Sequence, residues 1–155
     1  MKIGDIVVFI ILILVSLALS PIILPVMLFL PVRERFERRR FTQYLKSNPG
    51  RMYFAYTSRT TSVEYVRANI LPNLSPDVSV IYLSDKAYNL GNDYPFIDRL
   101  VISMKATQGG FPYAAQIENG ELRVKSVNNQ LYSAIKRKIG AEAIVSRIED
   151  FYDAS

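Results

Sequence analysis

The stretch that decides the fold is residues 51–83, which read RMYFAYTSRTTSVEYVRANILPNLSPDVSVIYL. Its first part, Met52 to Thr57, is a short run rich in aromatic residues and is typical of a β-strand. Thr61 and Glu64 have the spacing of a capping box, with Thr61 as the N-cap, and predict the start of a helix. Val78 to Leu83 is a nearly continuous apolar run, as found in buried parallel strands. The stretch therefore predicts one β-α-β unit.

The residues beyond this unit predict a β-hairpin. Residues 113–117 and 121–125 flank Asn119-Gly120, a dipeptide that favours a tight turn between antiparallel strands. Residues 96–105 are compatible with a helix or with a strand, because their periodicity does not separate the two. A small α/β domain over residues 51–155 is the expected result.

Two helices are predicted after the hairpin. Residues 128–139 form the first, which Gly140 closes, and residues 141–152 form the second. Apolar residues at helical spacing mark the inward face of each, and they are Leu131, Ile135 and Ile139 in the first and Ile144, Ile148 and Phe151 in the second.

A long apolar segment precedes the domain. Residues 6–32 contain no charged side chain, and an uncharged run of this length is typical of a membrane-embedded segment. Ser20-Pro21 interrupts it, because proline removes a helical hydrogen bond. Two interpretations stay open, a kinked single span and a re-entrant hairpin that enters and leaves on one side. The break resembles the broken re-entrant helix of monotopic phosphoglycosyl transferases, over residues 3 to about 35 only. Residues 1–32 are therefore predicted to be a membrane anchor.

The charge distribution predicts an orientation. The formal net charge is +5, and residues 33–51 hold seven basic and two acidic side chains. Only Lys2 is basic on the other side of the apolar segment, so the positive-inside rule places the domain in the cytoplasm, at the cell membrane. Residues 33–50 are expected to form a basic amphipathic connector whose arginines bind anionic lipid headgroups. These arginines are Arg33, Arg35, Arg38, Arg39 and Arg40.

The composition excludes several functions. The chain has no Cys and no His, which excludes disulfide exchange, thiol nucleophiles, the usual catalytic triad and zinc sites built from these residues. No cofactor or metal is expected. Nucleic acid is not an expected partner, because the basic excess lies beside the anchor rather than across the folded domain.

The predicted element order, β-α-β, a variable middle, a β-hairpin and a helix, resembles that of the thioredoxin fold. Residues 56–61 occupy the place of that family's Cys-x-x-Cys turn, and residues 110–113 (Gly-Phe-Pro-Tyr) are similar to its cis-proline loop. The resemblance covers residues 52 to about 140. Because both cysteines of that motif are missing from this chain, the resemblance implies a domain without redox activity. It also implies a structural and peptide-binding role for the loop of Phe111, Pro112 and Tyr113.

A second candidate site lies in the turn after the first predicted strand. Ser58, Arg59, Thr60 and Thr61 offer hydroxyls, a guanidinium and the N-terminus of a helix, a combination that favours an anion, and Asp85 would open on the same sheet edge. A purely structural interpretation, in which the hydroxyls cap the helix, stays open.

Two functions remain as hypotheses. The first is a membrane-anchored interaction or scaffold protein with another membrane-associated protein as its partner, and no enzymatic activity. The alternative is a small membrane-bound enzyme or accessory subunit that acts on a phosphorylated or lipid-linked sugar. The alternative requires Arg59, Ser58 and Asp85 to converge in a pocket.

Overall fold

The structure is a computed structural model that describes residues 4, 8, 32–84 and 96–154. Residues Met1–Arg40 and Phe41–Ser155 form two separate compact units. The predicted membrane segment, with its Ser20-Pro21 break, lies outside the described residues apart from Val8 and Val32. Among the helices that the structure describes, none has the length and apolar character needed to cross a bilayer.

The second unit is an α/β domain built on a mixed four-stranded sheet. The strands are β1 (Met52–Thr57), β2 (Val78–Leu83), β3 (Tyr113–Glu118) and β4 (Glu121–Ser126), and their spatial order is β2-β1-β3-β4. β1 pairs in parallel with β2 and antiparallel with β3, and β3 pairs antiparallel with β4. The predicted β-α-β unit and hairpin are confirmed. The prediction that β2 is a buried strand is wrong. β2 is the first strand in the spatial order, and Val78 and Ile81 are its only buried residues.

Five helices are described. They are α1 (residues 32–47), α2 (Thr60–Tyr65), α3 (Ile97–Ala106), α4 (Asn128–Arg137) and α5 (Glu142–Asp153). A π-helical turn over Val66–Ile70 and a 3-10 turn over Leu71–Asn73 extend α2 toward β2. The region that was compatible with a helix or a strand is the helix α3. It buries Ile97, Leu100, Val101 and Met104 on one face.

The sheet carries a hydrophobic layer on each face. Neighbouring β1 residues point to opposite sides, so Phe54 and Tyr56 belong to one layer and Tyr53 and Ala55 to the other. The first layer packs the α2 region, α4 and α5 against the sheet, and the second packs α3 together with the end of α1 at Leu45.

The hairpin turn follows the sequence prediction closely. Asn119 and Gly120 both have positive φ angles, 51° and 79°, as a two-residue turn between antiparallel strands requires. The pairing runs without interruption from Glu118 opposite Glu121 to Tyr113 opposite Ser126.

Two predicted helix ends are wrong. α2 begins at Thr60 with Arg59 as its N-cap and has no side-chain cap; the Ser62 hydroxyl instead donates to the Arg59 carbonyl at 3.1 Å, so Thr61 does not form a capping box. α4 ends at Arg137, and the left-handed residue that terminates it is Lys138 (φ 53°) rather than Gly140. Because the helix stops there, Ile139 is 50% exposed instead of buried.

The C-terminal helix is held by side chains from the sheet. The Arg123 guanidinium donates to the carbonyls of Phe151 and of Ala154, forms an ion pair with Glu118 at 2.8 Å, and lies over the Phe151 ring. The Tyr152 hydroxyl donates to the Tyr53 carbonyl of β1 at 2.8 Å. These contacts fix the end of α5 to the hairpin and to the sheet.

Candidate functional site

The strand register brings the two candidate sites to one edge of the sheet. Ala55 of β1 lies opposite Tyr113 of β3, so the C-terminal end of β1 and the N-terminal end of β3 lie at the same edge of the sheet. The Ser58 N–H donates to the Leu83 carbonyl at 3.1 Å, which ties the same turn to the end of β2. We call residues 58–61 and 109–112 together the loop edge.

A serine of β4 holds the glycine pair of this loop edge. The Ser126 hydroxyl donates to the Gly110 carbonyl at 2.6 Å and accepts the Gly110 N–H at 3.1 Å. It also accepts the N–H of Asn128, the first residue of α4, at 3.3 Å. Gly109 has a φ of 128°, and a Cβ there would lie 2.5 Å from the Ser126 Cβ, so only glycine fits this close approach.

The predicted peptide-binding residues divide into buried and accessible ones. Pro112 and Tyr113 are buried, so their side chains hold the loop rather than face a ligand. The Tyr113 hydroxyl donates to the Thr107 carbonyl at 3.1 Å, and the Pro112 carbonyl accepts the Val127 N–H at 2.9 Å. The Phe111–Pro112 peptide bond is cis, as the thioredoxin resemblance implies.

The main-chain groups of Phe111 distinguish it from the rest of the loop. Within the described part of the chain, neither its N–H nor its C=O has a hydrogen-bond partner. Its ring is partly buried and packs edge-on against Tyr113, with 4.9 Å between the ring centroids. Considering the described residues, the loop edge therefore presents one donor and one acceptor of the main chain beside a partly buried aromatic ring.

The turn of the second candidate site is open to solvent. Ser58, Arg59, Thr60 and Thr61 are all exposed, while the neighbouring Ser62 is buried. Asp85 lies outside the described residues, so its predicted convergence with Arg59 stays a prediction.

Tyr132 of α4 lies beside this turn, and no motif in the sequence marks it. The Arg59 guanidinium lowers the pKa of the Tyr132 phenol below its usual value, since the cation stabilises the phenolate. Burial opposes this shift in pKa, and the hydroxyls of Ser62 and Thr61 add to it. Arg59 and Tyr132 are 73 positions apart in the sequence. Their pairing depends on α2 and α4 packing on the same face of the sheet.

The arginines of α1 are not equivalent. Arg33 forms an ion pair with Glu37 at 2.9 Å, and Arg38 forms one with Glu34 at 2.7 Å. Across the described residues, Arg35, Arg39 and Arg40 form no ion pair. The predicted headgroup-binding cluster thus contains three arginines whose charge is not offset by a neighbouring carboxylate.

Comparisons with known proteins give no relative. No family model, no curated protein and no solved structure matches this chain.

Proposed function

We propose that this protein is a membrane-anchored interaction protein. Its thioredoxin-like domain, without redox activity, binds an extended segment of another membrane-associated protein at the loop edge. The observation that carries the proposal is the pair of main-chain groups on Phe111 that have no partner among residues 32–84 and 96–154, at an edge where two loops converge.

The arrangement of the elements supports the thioredoxin-like assignment. A parallel β1–β2 pair joined through α2, then α3, an antiparallel β3–β4 hairpin and α4 follow one another in the element order on which the resemblance rests. The α2 region and α4 pack on one face of the sheet and α3 packs on the other.

The chemistry of the edge supports a binding role over a redox role. Ser58 and Thr61, or their close neighbours, stand where the family's cysteines would be, and a hydroxyl does not exchange disulfides. An extended peptide satisfies a free N–H and a free C=O through main-chain hydrogen bonds, and its side chains gain specificity from adjacent pockets. Here the partly buried ring of Phe111 offers apolar contact, and the exposed Arg59 offers a positive charge at the same edge.

The proposed location of the protein at the cell membrane is supported by the sequence alone. Residues 6–32 carry no charge, and seven basic residues follow them within residues 33–51, against Lys2 alone before them. This asymmetry supports an anchor in the cell membrane with the domain on its cytoplasmic side. The partner segment would then be presented close to the inner leaflet.

Photo-crosslinking in cells tests the binding site. Benzoylphenylalanine replaces Phe111 in the full chain, and the matched control carries it at Ile102, which is 58% exposed on α3. We expect a discrete adduct with one membrane-associated protein from position 111, at least tenfold more abundant than from position 102. Equal adducts at both positions, or none at position 111, would refute the proposed site.

A second measurement tests the binding mode. Overlapping peptides from the captured protein are added to the purified full chain in mild detergent, labelled with ¹⁵N. Binding by main-chain pairing shifts the Phe111 and Gly110 amide resonances and leaves the amide of Asn119, at the opposite end of β3, unchanged. A shift confined to other parts of the domain would contradict the proposed mode.

A further inference from the structure

The first half of α1 separates its charges onto two sides. At 100° per residue, Glu34 and Glu37 lie 60° apart on one side, where each forms an ion pair with an arginine one turn away. These pairs offset both acidic charges within the helix. The net positive charge of this half of the helix therefore belongs to the other side.

That other side combines exposed apolar and basic residues. Val32 and Phe36 are each 63% exposed and are neighbours one helical turn apart. Arg35 and Arg39 line a shallow groove together with them, and Arg40 lies on the far flank of Phe36. We call this surface the arginine face, defined by Val32, Arg35, Phe36, Arg39 and Arg40. Its acidic neighbours point almost directly away from it.

We propose that the arginine face binds the headgroups of anionic phospholipids, with the Phe36 ring inserted beneath the phosphates. This inference rests on the proposed membrane anchor and adds which three of the five arginines contact the headgroups and which apolar side chain inserts. Two arginines of the basic cluster, Arg33 and Arg38, are assigned to intrahelical ion pairs instead.

Charge complementarity and position both select lipid as the occupant. Three guanidinium groups that have no carboxylate partner in the described part of the chain match the charge and the bidentate geometry of phosphate oxygens. The uncharged segment 6–32 leads directly into this face, and residues 32–40 rise only about 12 Å along the helix axis. A helix with exposed apolar residues flanked by arginines is suited to lie in the interface, where its cationic side chains extend to the headgroups.

The absence of cysteine from the chain permits a clean labelling test. Single-cysteine variants Phe36→Cys and Glu37→Cys carry a spin label in the full chain, which is reconstituted in vesicles of phosphatidylcholine with or without 30% phosphatidylglycerol. The two positions are adjacent along the axis but 100° apart around it. We expect position 36 to be accessible to oxygen and protected from a water-soluble nickel chelate, and position 37 to show the reverse.

Charge variants test the role of the headgroups. In the Phe36→Cys background, Arg35, Arg39 and Arg40 are changed together to Gln. The matched control changes all four members of the two ion pairs, Arg33, Glu34, Glu37 and Arg38, to Gln, which leaves the net charge of the helix unchanged. Each basic residue near an anionic surface contributes about fivefold to binding, so the triple variant should lower the ratio of bound to free helix about 100-fold. The control should retain most of the protection at position 36.

The outcomes separate this inference from the proposed function. Equal accessibility at positions 36 and 37, or protection that does not depend on phosphatidylglycerol, would overturn the inference alone. Failure of the chain to incorporate into vesicles would overturn the membrane anchor as well. Neither result bears on peptide binding at Phe111, because the vesicles contain no partner protein.

Discussion

Replacing Ser126 by Ala should loosen the glycine loop beside the candidate site. The hydroxyl uses its one hydrogen and both acceptor positions, two bonds to Gly110 and one to the Asn128 N–H. A hydrogen bond contributes about 0.5–1.5 kcal/mol net. Because Gly110 is half-buried, water can replace part of what is lost. We therefore expect a loss of about 2 kcal/mol in the free energy of unfolding.

Denaturant unfolding of the full chain in mild detergent measures this loss, and hydrogen exchange locates it. If the loss is local, the Gly110 amide should exchange about 30-fold faster, since 1.4 kcal/mol corresponds to a factor of ten. Ser133→Ala is the matched control, because Ser133 is exposed on α4 and should change stability by less than about 0.5 kcal/mol. An unchanged Gly110 exchange rate together with a loss below about 0.5 kcal/mol would refute the assigned role of Ser126.

Three further predictions concern the domain that carries the site. Gly109→Ala should destabilise the domain by more than about 2 kcal/mol, because the added Cβ overlaps with β4 and the backbone φ is 128°. The control Gly50→Ala, at a φ of 78° with no atom within 4 Å of the added Cβ, should cost about 1 kcal/mol. Equal losses of stability in thermal unfolding would contradict the steric overlap at Gly109. Tyr152→Phe should cost about 1 kcal/mol at pH 7 through its lost hydrogen bond. Burial raises the pKa of the Tyr152 phenol in the folded protein. The contribution of the neutral phenol to folding stability is therefore complete below the pKa of the unfolded state, about 10, and is lost as the pH rises further. Unfolding measured at pH 7 and pH 11 should therefore show a smaller decline for the variant, and parallel declines would argue against this role. Leu131→Ala, at a fully buried position, should cost about 2–5 kcal/mol in the free energy of unfolding. Ile139→Ala should cost less than about 1 kcal/mol, because Ile139 is 50% exposed beyond the end of α4. Similar denaturation midpoints for the two variants would contradict this end of α4.

Local patterns in the sequence were sufficient for the strands and the hairpin. The aromatic run of β1 and the apolar run of β2 have the length and composition of strands, and Asn119-Gly120 has few alternatives to a tight turn. These signals are confined to a few neighbouring residues. They do not depend on how the rest of the chain packs.

The ends of the helices depend on packing, and the sequence predicted them less well than it predicted the strands. Thr61 has the spacing of a cap, yet the chain enters α2 one residue earlier and Ser62 bonds back to Arg59. Lys138 adopts the left-handed conformation even though Gly140 is two residues away. Each local preference is worth about 1 kcal/mol, less than the burial of one large apolar side chain, so tertiary contacts decide the boundary.

The candidate site was predicted in part. Each of its two loops could be named from the local sequence, but their meeting at one sheet edge follows from the pairing of β1 with β3, which no local pattern indicates. Its supporting residues Ser126 and Tyr132 could not be named, since they serve loops 16 and 73 positions away and carry no motif of their own.

The Arg123 contacts have a consequence for α5 as an independent segment. The last carbonyls of a helix need donors from outside it, and here the guanidinium of a sheet residue supplies two of them. The side chain that caps the C-terminus of this helix therefore lies about 30 positions upstream in the sequence, in β4. A synthetic peptide of residues 142–153 should fray from its C-terminus in water, and circular dichroism should find it largely unfolded, because a segment of 12 residues has little helicity without its neighbours.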